Sequence, residues 1–378
     1  MINLLAATEI DFLVTTHLSD IPTNRPIVMV DGTVPGWYCS PKKGDLHFDH
    51  HRSGGEKVQV EEIPEDTRIA ENSLIVTTQL DADACVSAAW LILCAGEYQQ
   101  YFGHSGAIAV RDRLIAIAYD CDHLGLPLEP RWDEYRVFAR NVVAAMKQGS
   151  EAIASELGLP KKRSDWTDEQ RKIFYSEGFR QRTEALVKAA MGEAPWPGER
   201  GEADAYWQKF EEQRPFVHRR CKLIDGVAVL DSRGISDYVD PRHLVEWARS
   251  QPECTSNITL TVRDRPLQLF YTEKELLLWK EGLEDGPLSW KITLPAYSYT
   301  LGSIPLHADG SPEFADQNVF ALLSVAENQK RDYLDLPLPS SAWGGRNEVG
   351  GSSWNDAALL TPEEVLKVAL NILRARRS

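Results

Sequence analysis

The segment "GDLHFDHHRSGGE" (44–56) sets His47, Asp49, His50 and His51 side by side between glycines, and so holds three of the chain's nine histidines within five positions. Burying adjacent imidazoles beside a carboxylate is costly unless they pair with one another or hold a metal. A solvated polar loop is the other reading, and it stands unless the rest of the chain supplies partners. Candidate partners exist. "VMVDG" ends an apolar run at Asp31, "TTQLDADACVSA" carries Asp81 and Asp83, and "AIAYDCDHLG" carries Asp120 and Asp122. Neutral imidazole with several carboxylates suits Mn2+ or Mg2+ better than thiolate-seeking zinc. Two such ions about 3.5–4 Å apart can activate water and clamp the oxygens of a phosphoryl group.

These residues can meet only if the elements carrying them end on one edge. "DFLVTT" (11–16), "PIVMVDG" (26–32), "SLIVTTQ" (73–79) and "LIAIAYD" (114–120) read as buried strands, each a short apolar run between polar turns. "DADACVSAAWLILCAG" reads as a helix ending at Gly96. Buried strands joined by helices imply an α/β domain with a mostly parallel sheet over residues 1–125, and ligands bind at the carboxyl ends of such strands. Residues 126–215 read as a helical insert or linker, in which Thr167 and Gln170 form a capping box. From 216 to 378 the pattern returns to strands and closes on a helix capped by Thr361, with Pro362 at its first position and Glu364 completing a second box. That segment reads as an α+β substrate-binding domain.

Composition narrows the partners. With 41 basic and 56 acidic residues the formal charge is −15, which argues against gripping long duplex nucleic acid but leaves room for a short nucleotide in a locally positive pocket. The longest apolar run, "VSAAWLILCAG", is too short to cross a bilayer, and the start "MINLLAATEIDFLVTTHLSD" has no basic leader region. Six scattered cysteines without a C-x-x-C pair give no zinc ribbon or disulfide framework, so a cytoplasmic location is expected.

"HFDHH" together with "LDADACVSAA" resembles the signature motifs of the DHH phosphoesterase family, whose members include single-strand exonucleases, short-oligonucleotide and cyclic-dinucleotide phosphodiesterases, and manganese pyrophosphatases. "VMVDG" resembles that family's second motif, and "WGGRNEVGG" (343–351) its glycine-rich substrate loop. The motif order here is second, third, first, fourth, as if circularly permuted. Thr77 stands four residues before Asp81, where the family often has a histidine, and His47 and His123 are the unranked candidates to replace it. The resemblance implies that Asp81 binds one metal and Asp83 the other, and that Asp31 bridges them. His50 and either Asp122 or Asp120 would complete the second site. It further implies that His51 contacts the scissile phosphate and that Asp49 orients a histidine.

The glycines of "WGGRNEVGG" would let backbone N–H groups of Gly344, Gly345, Gly350 and Gly351 approach an anion, with Arg346 forking onto phosphate. The expectation is therefore a Mn2+-dependent phosphohydrolase acting on a nucleotide or short oligonucleotide. The rival from another class is a non-catalytic binding protein on a degenerate hydrolase scaffold, and Thr77 and the permuted order speak for it.

Overall fold

A computed structural model describes residues 10–49, 62–122, 134–162, 165–235, 239–254, 256–272, 289–303, 319–339, 342–345, 349–353 and 356–377. The chain forms two compact units, Met1–Pro215 and Phe216–Ser378, and passes from one to the other within a helix.

The first unit is built on a parallel four-stranded sheet in the order β1-β4-β2-β3, with β1 Asp11–Val14, β2 Ile27–Val30, β3 Leu46–Phe48 and β4 Leu74–Thr77. This is the expected α/β class. The central strands β2 and β4 are buried along their whole length, which is why they read as unbroken apolar runs. The register pairs Val14 with Thr77, Met29 with Val76, and Val30 with Phe48. One row of residues therefore closes the sheet, and Thr15, Thr78, Asp31 and Asp49 are the next residues out of its carboxyl edge.

Helix α1 (Ala82–Ala95) starts from an Asp81 cap and is buried on almost every side, as a helix crossing the middle of a unit must be. The run 114–120 is not a strand. It belongs to α2 (Gln99–Asp122), and Leu114, Ile115, Ala116, Ile117 and Ala118 are all buried there. A short apolar run bounded by polar residues looks alike in a buried strand and in a helix enclosed on all sides, so periodicity could not separate the two. Asp120 and Asp122 consequently leave the end of a helix, not of a strand.

The helices α3 (Arg136–Gln148), α4 (Ser150–Glu156), α5 (Asp168–Ala190) and α6 (Asp204–His218) follow. Val142, Val143, Phe179 and Leu186 share one core with Val28, Val30 and Ile75 of the sheet, so residues 134–215 are part of the first unit and do not stand as a body of their own. The α5 capping box forms as the sequence indicates, Thr167 Oγ1 accepting from Gln170 N at 3.2 Å and Gln170 Oε1 from Thr167 N at 2.9 Å.

The second unit has a mixed sheet in the order β11-β12-β10-β7-β6-β5 and a separate β8–β9 pair. Its strands are β5 Cys221–Ile224, β6 Val227–Asp231, β7 Ile258–Asp264, β8 Leu267–Thr272, β9 Ser289–Leu294, β10 Tyr297–Ser303, β11 Gly344–Gly345 and β12 Val349–Gly351. Asp225 and Gly226 turn the β5–β6 hairpin with φ of 49° and 83°, the two left-handed residues that a two-residue loop demands. Helices α7 (Arg242–Arg249), α8 (Val319–Tyr333) and α9 (Pro362–Arg377) complete the unit. Glu327 and Arg331 on α8 are buried and fully engaged, Glu327 accepting from Leu359 N at 2.9 Å and Arg331 donating to Ala357 O at 2.6 Å. No helix among the described residues is long and apolar enough to cross a membrane.

Candidate metal centre

The carboxyl edge of the parallel sheet gathers the aspartates. Asp31, Asp81 and Asp83 each bring a carboxylate oxygen within 4.8 Å of the others, and Asp83, Cys121 and Asp122 do the same with one ligand atom each. Asp83 is common to both groups. Asp31, to which the family resemblance gives the bridging place, belongs to one of them. Of the two aspartates left open at the end of α2, Asp122 enters a group and Asp120, though buried, enters neither.

Each position is held by local structure. Asp31 has φ of 46°, a left-handed conformation that aspartate tolerates better than most residues. Its N–H donates to Phe48 O at 2.8 Å and its carbonyl accepts from Thr77 Oγ1 at 3.2 Å, so the neighbouring strands pin it from both sides. Gly32 follows at φ 141°, and a Cβ there would collide with Thr78 Oγ1. Only glycine lets the two loops approach so closely. Thr77 is fully buried, and its hydroxyl also contacts Gln79 O at 3.0 Å. The residue in the histidine position thus ties backbone to backbone. Asp81 caps α1 through Oδ1, which accepts from Ala84 N at 3.2 Å.

The electrostatics are adverse without a cation. Burial, and after it the Asp31 charge, raises Asp81 well above the ordinary carboxylate range, against a side-chain hydrogen bond to Asp83 that lowers it. Burial raises Asp83 in the same way, and the charges of Asp122, Asp31 and Asp81 push it further. Asp83 is 4% exposed, and its Oδ1 has no hydrogen-bond partner among the described residues. Cys121 beside it is pushed up to about 12, chiefly by burial. Asp120 and Asp122 occupy the last turn of α2, which has no basic residue and whose carbonyls repel negative charge. An oxygen-rich, negatively charged, under-bonded cluster of this kind fits a divalent cation. Asp31, Asp81, Asp83 and Asp122 are the residues that could hold one or two.

The Asp-His-His segment begins beside this cluster. Asp49 is 4% exposed and accepts a short hydrogen bond from Thr33 Oγ1. His47 Nε2 lies 2.8 Å from the same hydroxyl and 3.9 Å from Asp49 Oδ2, with the Trp37 ring edge-on at 5.1 Å. With the Thr33 proton directed to Asp49, the Thr33 oxygen is left to accept from His47 Nε2. Asp49 is therefore tied to a histidine through a hydroxyl that the sequence reading missed; the only signal was its place two residues after Asp31. His50, His51 and His123 lie outside the described residues.

A cavity of about 420 Å³ opens on the same edge, beyond β1 and β4, lined among others by Thr15, His17, Asp20, Thr78, Lys172 and Tyr175. Lys172 Nζ is 3.3 Å from Asp20 Oδ1, and Thr15 Oγ1 donates to Asp20 Oδ2 at 2.6 Å.

In the second unit the glycine-rich segment forms the β11–β12 pairing, Gly344 opposite Gly351 and Gly345 opposite Gly350. A Cβ on Gly350 would meet Gly344 O, and Phe320 Cζ at 2.6 Å; one on Gly351 would meet Tyr299 O. Close sheet packing accounts for these two glycines by itself. Arg346 lies outside the described residues.

No family model matches the chain, and a comparison with curated proteins finds no match. Among solved structures, one chain, described as the pGpG-specific phosphodiesterase PggH from Vibrio cholerae, aligns over 93% of this chain and 99% of its own. The identity is 10% and the TM-score 0.38, a likeness too distant to argue an activity from.

Proposed function

We propose that the chain is a metal-dependent phosphohydrolase that cleaves a phosphodiester or phosphoanhydride of a nucleotide or short oligonucleotide. The observation that carries this reading is the sharing of the buried Asp83 between two groups of ligand atoms, one with Asp31 and Asp81 and one with Cys121 and Asp122. The sequence likeness to DHH phosphoesterases supports it. A pair of divalent ions, Mn2+ or Mg2+, supplies such a site with nucleophilic water at neutral pH and with charge to offset a phosphoryl group. The chain's own residues do the remainder. Thr77 and Gly32 fix the Asp31 turn, Asp81 caps α1 and brings a carboxylate oxygen to the Asp31 group, and Asp83 is shared. Asp49, locked through Thr33 to His47, anchors the start of the segment that carries His50 and His51. The adjoining cavity is within the range of about 300–1,000 Å³ usual for small ligands, and its hydroxyls and paired charges suit the polar organic part of a nucleotide.

A second reading, a non-catalytic scaffold, draws on Thr77, a neutral hydroxyl, hydrogen-bonded to the backbone of Asp31 and Gln79, at the position where the resembling family often has a histidine. Metal analysis of protein purified without chelator, with hydrolysis of a simple phosphodiester and of pyrophosphate in Mn2+, separates the two. The enzyme reading expects two ions per chain and Mn2+-dependent turnover. Absence of bound ions, of any Mn2+-induced rise in melting temperature and of turnover would leave the scaffold.

A further inference from the structure

The two groups that share Asp83 differ in chemistry. The group with Asp31 and Asp81 offers only carboxylate oxygens, whereas the other sets Cys121 Sγ beside Asp83 and Asp122, all within 4.8 Å. Cys121 is in no disulfide, and the buried Asp83, 4% exposed, keeps its Oδ1 without a hydrogen-bond partner among the described residues. A thiol is a weak donor, poorly matched to two carboxylates, and a structural cysteine is ordinarily surrounded by apolar groups. Cys94, in the core on α1, is an example, whereas Cys121 packs against that core on one side, meets the Ala82 backbone N–H, and has carboxylates on the other. A cation between the three groups turns the same arrangement into a coordination set.

We infer that Cys121 is a metal ligand, and that Asp83, Cys121 and Asp122 form a mixed thiolate–carboxylate site selective for a thiophilic divalent ion of the Zn2+, Fe2+ or Co2+ class. The inference rests on the reading of this cluster as a cation centre. Sulfur ligation favours these ions over Mg2+ and Mn2+, which prefer oxygen. The all-oxygen group with Asp31 and Asp81 keeps that harder preference, so the two positions differ in the ion they take. The sequence signal was faint: a single cysteine between two flagged aspartates in "YDCDH".

The test is a Co2+ titration of the full chain after stripping with chelator. Wild type is expected to develop a thiolate-to-cobalt charge-transfer band in the near ultraviolet. Cys121→Ser should lose it while still binding Co2+ at the oxygen-only group, and Cys85→Ser should keep it. Zn2+ affinity of Cys121→Ser should fall by at least the roughly 10–100-fold that even outer-shell changes cost, with Mn2+ binding less affected. Should Cys121→Ser fail to fold, X-ray absorption of Zn2+-loaded wild type decides, since a sulfur neighbour at about 2.3 Å is required. Co2+ or Zn2+ bound with no sulfur signal would overturn the inference and leave the proposed activity standing. No divalent binding at all would overturn both.

Discussion

Neutralising Asp83 should have opposite effects on stability with and without divalent cations. Replacing it by asparagine keeps the shape and removes one charge from a group whose oxygens lie within 4.8 Å of one another. At that distance a pair of unit charges repels by roughly 3.5 kcal/mol at an effective dielectric constant of about 20. The cluster can escape by taking up a proton, and holding a carboxyl protonated at pH 7 against an ordinary pKa of about 3.9 costs roughly 4 kcal/mol, which caps the penalty. An asparagine amide left without a partner returns about 1–3 kcal/mol of it. Asp83→Asn in chelator should thus be more stable than wild type by about 1–3 kcal/mol, or about 2–12 °C in melting temperature for a unit near 200 residues. With Mn2+ at about a hundred times its dissociation constant, wild type gains about 2.7 kcal/mol per site that the variant binds poorly, and the order reverses. Thermal unfolding of both proteins, with chelator and with Mn2+, is the assay. Equal destabilisation in both conditions would refute the argument and make Asp83 a structural member of α1.

The same linkage gives a pH dependence. The folded-state pKa values of Asp81 and Asp83 are raised, so the native metal-free chain binds more protons than the unfolded one above about pH 3.9. Stability contributed by these groups is present at low pH and declines as pH rises toward the raised values. Saturating Mn2+ should flatten that decline, and denaturant melts across pH with and without the ion will check it. Thr33→Val removes the hydroxyl between His47 and Asp49 and should cost about 10–100-fold in turnover or metal affinity while the far-ultraviolet circular dichroism is unchanged; wild-type values for both would detach this pair from the site. Gly350→Ala forces a methyl against Gly344 O and Phe320 and should destabilise the second unit by about 1–3 kcal/mol in chemical denaturation, whatever substrate is present.

What the sequence disclosed follows from how local each signal is. Strands β2 and β4 are buried throughout, and their unbroken apolar runs could be read without any knowledge of neighbours. The caps of α5 and α9 are written in four residues each, and both form, Thr361 N donating to Glu364 Oε2 at 2.6 Å. β3 is three residues long, too short for a pattern, and is defined only by pairing with β2. The run 114–120 misled because burial on all sides erases the difference between periods of 2 and 3.6.

The error at 114–120 moved an element without dispersing the candidate cluster, for a reason visible in the geometry. Whether 114–120 is strand or helix, its end must return to the carboxyl edge of the sheet, because α1 leaves from that edge at Asp81 and α2 runs back after it. Asp122 arrives there either way. What changes is the field it arrives in. A strand end is nearly neutral, whereas the carboxyl end of α2 carries the negative pole of the helix dipole into a place already crowded with aspartates. The helix therefore strengthens the case for a cation beyond what residue types alone could support. It also brings Cys121, which an alternating strand would have turned to the opposite face from its neighbours, into the same group as Asp122.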